Sequence, residues 1–157
     1  MSSRALVALR VPVDPLTAFA AFTQEIARWW QPTGLFRVTP GGDGTLRFEP
    51  GVGGRLYTTL EDGAVFEIGR ISVWEPGRRL TFAWRQSSFA PGQSTEVDVS
   101  FAAVGEETRI SVEHRAWDSI PQEHVARHGF PEATTLRHVA GWWRSSLEVL
   151  ANLLSAK

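Results

Sequence analysis

The chain has 157 residues, a hydrophobic fraction of 43% and a net charge of −1. That is one domain's length with enough apolar material for a core, and no net field that favours nucleic acid or anionic membranes. It has no cysteine, which excludes disulfides and thiolate chemistry. The start of the chain reads as neither a signal peptide nor a bilayer span, so a cytoplasmic domain is expected. Arginine supplies all the basic residues except Lys157, a pattern of coding bias rather than of chemistry.

In chain order, 5–13 reads as an apolar strand. Asp14 followed by Pro15 is a helix start, with aspartate as cap and proline in the first turn. Phe19 and Phe22 share one face of that helix. A second short helix over 24–30 carries Ile26, Trp29 and Trp30, and Pro32 halts it. The glycines at 41–44 form a turn before a short strand over 45–49. Strands are then expected over 53–60, 64–75, 78–86, 95–103 and 108–117, with Gly69 as a bulge position and Pro76-Gly77 as a turn. Trp74 and Tyr57 are expected to face outward. Arg78 and Arg79 are expected to be solvated at the turn.

Ser119 and Gln122 fit the start of a short helix running to about His128. His124 and His128, four apart beside Glu123, have the spacing of a metal pair but lack a third ligand, so no metal is expected. The last stretch, 134–157, is a long amphipathic helix. Leu136, Val139, Trp143, Leu147, Leu150 and Leu154 form its apolar stripe, and Thr134 or Thr135 is the expected cap. Gly141 lies on its polar side, where core packing does not explain it. Strands run together rather than alternating with helices, so the class is α+β. About six to seven antiparallel strands curve around the terminal helix in a helix-grip, as a single domain over 1–157.

Certain strings in that order resemble the START-like (SRPBCC) superfamily, in the branch related to the activator of the heat-shock protein 90 ATPase. They are Val52-Gly-Gly-Arg-Leu56, the stretch from Gly69 to Trp84, Thr108 to His114, and Gly141-Trp142 with Leu147 and Leu150. The resemblance implies a cavity for an apolar molecule between sheet and helix. It implies neither a reaction nor chaperone activation, and the chain departs from the branch at Val73, where many relatives carry an acidic residue.

Strand phase gives the expected cavity wall. Leu56, Thr58 and Leu60 come from one strand, and Ile71 and Val73 from the next. Leu80, Phe82 and Trp84 follow, then Val97, Val99 and Phe101, then Val112 and His114. The helix adds Trp143, Leu147 and Leu150, and Trp30 and Phe36 stand at the mouth. Two readings are open for this set: a ligand cavity, or a filled core. His114 is the polar residue of most interest. It would orient a ligand carbonyl or move a proton, or it is a core histidine satisfied by a neighbouring hydroxyl or carbonyl. The glycine clusters lack the lysine and helix start of a phosphate loop, and no nucleophile elbow is present.

The expected function is binding of an apolar or amphipathic small molecule, with no cofactor, no nucleic acid and no membrane, as a monomer or homodimer. The alternatives are a cyclase or aromatase with His114 as acid or base, and a chaperone-related interaction protein.

Overall fold

A computed structural model describes residues 4–30, 45–59, 63–85, 94–116 and 132–155. Its elements, in chain order, are β1 (Arg4–Val11), α1 (Pro15–Gln24), α2 (Ile26–Trp29), β2 (Thr45–Phe48), β3 (Arg55–Thr59), β4 (Val65–Glu75), β5 (Arg79–Trp84), β6 (Thr95–Val104), β7 (Glu107–Arg115) and α3 (Glu132–Ser155). The strands form one seven-stranded antiparallel sheet in the order β1-β7-β6-β5-β4-β3-β2. Alternation decides which side is wet. On β6, Val97, Val99 and Phe101 are buried while Glu96 and Asp98 face out.

Asp14 caps α1 as expected: its carboxylate accepts from the Thr17 N–H at 3.3 Å and from the Thr17 hydroxyl, and Pro15 occupies the first turn. This sets Phe19 and Phe22 onto the concave face, where Phe22 meets Trp29, Phe48 and Phe101 with ring centroids 4.7, 6.3 and 5.8 Å away. Helix α3 closes that face with Val139, Trp142, Trp143, Leu147, Leu150 and Leu154 buried at helical spacing. It begins two residues before the expected start, so Thr134 and Thr135 lie inside the helix and do not cap it. Gly141 is exposed, and a side chain built there would meet nothing within 4 Å.

Two register shifts act on β4. The pairing moves from Leu56↔Gly69 to Tyr57↔Glu67, which leaves Ile68 as an extra residue, and from Ile71↔Phe82 to Val73↔Thr81, which leaves Ser72. Gly69 belongs to the first: a Cβ there would lie 1.6 Å from the Ala83 carbonyl oxygen, so only glycine lets the strands approach. The second overturns the strand phase read from sequence. Beyond Ser72, Val73 pairs with Thr81, whose hydroxyl points to Asp98 on the convex side. Trp74 instead turns inward and meets Phe19 edge-on at 5.0 Å. An extra residue flips every side chain after it, and simple alternation does not register that.

The convex face is held by charge pairs. Arg79 forks onto Asp98 at 3.0 and 2.9 Å, Thr81 donates to the same carboxylate at 2.9 Å, and Arg115 reaches both Asp98 and Glu96. Arg79 is exposed, as expected, and is also ion-paired to Asp98. Its hydrogen bonds, outweighing partial burial, hold the Asp98 carboxyl below the usual carboxylate range.

Candidate functional site

The residues singled out in the sequence converge where β5, β6 and β7 face the middle of α3. Strand β7 alternates, so its inward residues are Thr108, Ile110, Val112 and His114, and the imidazole is fully buried. The Trp143 indole, which can only donate, reaches His114 Nδ1 at 3.0 Å. Nδ1 is therefore an acceptor and the ring proton sits on Nε2, 2.7 Å from Thr95 Oγ1. The Thr95 hydroxyl is in turn 3.4 Å from the Trp84 carbonyl oxygen. This chain ties β5, β6, β7 and α3 together. Burial pushes the His114 pKa down to about 3, so the ring is neutral at physiological pH.

Around the imidazole stands a set of indoles. Trp84 lies edge-on to His114 at 5.6 Å, and Trp142 and Trp143 lie 6.5 and 6.2 Å from it. Trp30 enters from the end of α2. Its ring centroid is 5.4 Å from Trp84, 5.1 Å from Trp142 and 5.2 Å from Trp143. Trp84, Trp142 and Trp143 are buried, whereas Trp30 is half-buried. Trp29 is anchored separately, its indole donating to the Phe22 carbonyl at 3.2 Å.

Nine of the eleven expected ligand contacts are no more than 2% exposed: Thr58, Ile71, Phe82, Trp84, Val99, Val112, His114, Trp143 and Leu147. Trp30 is the tenth and Phe36 lies outside the described residues, as do Leu60, Glu123, His124 and His128. The concave face is thus closed to water along these residues. Thr58 projects from β3 between Leu46 of β2 and Phe66 of β4. Its hydroxyl is buried and has no hydrogen-bond partner among the described residues. Such a group costs about 1–3 kcal/mol when nothing satisfies it. Val73 leaves the predicted set, because the bulge at Ser72 turns it to the other side of the sheet.

Two members of the cluster were not among the expected contacts. Trp142 sits beside Trp143, which was, and Thr95 carries the phase of Val97 and Val99, which placed it inward all along.

The family profile of Activator of Hsp90 ATPase homolog 1-like proteins matches residues 12–155. The chain belongs to that family. Its fold is the START-like one implied by the sequence strings, and solved structures agree. A protein from Mesorhizobium loti is 19% identical, with 98% of each chain covered and a TM-score of 0.69. An HSP90 activator from Plasmodium falciparum is 18% identical over 98% of this chain and 96% of its own, with a TM-score of 0.67. Txn09, an anthrahydroquino-γ-pyrone synthase, is 29% identical over 95% of both chains, with a TM-score of 0.56. No curated protein matches the chain at a significant level. As in the sequence reading, no helix among the described residues is long and apolar enough to cross a membrane.

Proposed function

We propose that this protein of the Activator of Hsp90 ATPase homolog 1-like family binds an apolar or amphipathic small molecule between the concave face of the sheet and α3. The observation that carries the reading is Thr58: a fully buried hydroxyl without a partner among the described residues, set in apolar surroundings. A polar group of that kind in a closed core is a cost to the free protein and a contact for a guest. The indoles over His114 supply the apolar surface, worth about 25 cal/mol per Å² of ligand area before ordering costs. Txn09, whose name describes a synthase of a fused aromatic product, supports a ligand of aromatic character.

The enzymatic alternative asks His114 to move a proton. Its geometry weighs against that role, because one nitrogen accepts from Trp143 and the other contacts Thr95. A docking surface has little to stand on among the described residues, where the exposed large apolar side chains Leu6, Leu16, Val52 and Val65 are scattered over four elements or turns. The test is a thermal-shift and native mass spectrometry screen with fatty acids, hydroxylated naphthalenes and anthraquinones against wild type and Thr58→Val. Binding that weakens in the variant supports the reading; a screen without a binder contradicts it.

A further inference from the structure

We infer that the space bounded by Trp84, Trp142 and Trp143 is the seat for a planar, uncharged aromatic ring system, and that the Trp30 indole occupies it as a removable plug. The inference rests on the small-molecule reading above and gives it a ligand class and a gate.

Trp30 stands almost equally far from the three other indoles, between 5.1 and 5.4 Å centroid to centroid. It meets Trp142 and Trp143 nearly edge-on, at 74° and 80°, and Trp84 at 41°. These are the separations and tilts at which aromatic rings attract one another, so the vacated volume is ring-shaped and walled by π faces. The floor is His114, which stays neutral. The four-indole group itself carries no carboxylate or guanidinium, so an uncharged ring keeps more of its free energy there than an ion that must give up its hydration.

What distinguishes Trp30 from its walls is how it is held. Trp84 ends β5, where it is paired with Thr95 of β6, and Trp142 and Trp143 are on the long helix. Trp30 lies just past a helix of four residues, with an extended backbone (φ −65°, ψ 125°) and, among the described residues, one backbone bond, back to the Ile26 carbonyl at 2.9 Å. It is also the one indole of the four that is half-exposed. A change in its side-chain torsions opens the seat without disturbing α2, which Trp29 keeps pinned to Phe22. In the free protein the Trp30 side chain therefore stands in for the guest among these three indoles. Any ligand must compete with Trp30, and its apparent affinity is lowered by the fraction of time the plug is in.

The experiment removes the plug. Wild type and Trp30→Ala are each titrated calorimetrically with 2-naphthol and with indole, and their thermal unfolding is followed with and without indole. Indole is expected to raise the midpoint of Trp30→Ala and leave wild type unmoved, because a ligand that binds only a vacated cavity stabilises by mass action. We expect 2-naphthol to bind Trp30→Ala about tenfold or more tightly than wild type. Tetramethylammonium, the probe for a cation cage, is expected to bind neither protein, and its binding to Trp30→Ala in place of the aromatics would overturn the ligand class. Equal affinity for 2-naphthol in both proteins, with no effect of indole on the variant, would overturn the plug and leave small-molecule binding standing. No binding of any aromatic to either protein would overturn both. Should Trp30→Ala fail to fold alone, its recovery on refolding with indole counts for the plug, and Trp30→Leu carries the same titrations.

Discussion

Replacing Thr58 by valine should make the free protein more stable. The side chain is fully buried on the concave face, its cross-strand partners are Leu46 and Phe66, and its hydroxyl has no partner among the described residues. Valine keeps the β-branched shape and strand preference and replaces only the hydroxyl by a methyl. Leaving a buried hydroxyl unsatisfied costs about 1–3 kcal/mol, so removing it should recover about 1–2 kcal/mol once small packing differences are allowed for. For a domain of this size each kcal/mol moves the unfolding midpoint by about 2–4 °C, which gives a rise of about 2–8 °C. Scanning calorimetry and urea titration of the two proteins, without ligand, read this directly. A natural residue that destabilises the free fold is the signature of a site kept for binding. A fall in midpoint for Thr58→Val would refute the reasoning, because it would mean that the hydroxyl is already satisfied, for example by a trapped water.

Three further outcomes are expected. His114→Gln should retain an acceptor for Trp143 and a donor for Thr95 while removing the titration. Because the folded pKa of His114 lies near 3, below the ordinary 6.5, the unfolded chain takes up a proton that the folded one refuses. Stability should therefore fall as pH drops from about 6.5 toward 3, by up to about 1.4 kcal/mol per pH unit from this group, and the wild-type-minus-variant difference in urea midpoints should lose that slope above pH 7. Gly141→Ala should stabilise by about 1 kcal/mol, since the site is exposed, helical and open to a methyl group, and circular-dichroism melts would show an unchanged midpoint if some contact requires glycine there. Gly69→Ala should destabilise by roughly 3 kcal/mol or more or prevent folding, because its Cβ would sit 1.6 Å from the Ala83 carbonyl oxygen, and a near-wild-type melt would contradict the close strand approach.

Much of the fold was legible because its elements carry strong periodicity. The clean alternation of β6 and β7 placed Val97, Val99, Val112 and His114 inward, and the helical stripe placed Trp143, Leu147 and Leu150 against them. Asp14 and Pro15 fixed the start of α1 by their local chemistry. Legibility failed where a single residue changes the phase. Nothing in the run from Ile71 to Trp74 announces that Ser72 will be passed over, so Val73 and Trp74 exchanged sides.

The site was legible as a set of side chains and not as an arrangement. Phase brings Thr58, Phe82, Trp84 and His114 to one face. It does not say that Trp143 will donate to His114, that Thr95 will hold its other nitrogen, or that Trp30 will fill the space among the remaining indoles. Those contacts depend on how far α3 and α2 stand from the sheet, which is set by the summed volumes of many side chains. The same compactness explains why a face expected to leave room for a guest is closed along nine of the eleven expected contacts.

The most direct test of small-molecule binding on the concave face is a titration of ¹⁵N-labelled protein with 2-naphthol, followed through the tryptophan indole N–H signals and assigned by single Trp→Phe variants. The signals of Trp30, Trp84, Trp142 and Trp143 should move together and saturably, while that of Trp74, packed edge-on against Phe19 of α1, stays in place. Shifts confined to the convex face, or none at saturating naphthol, would contradict it.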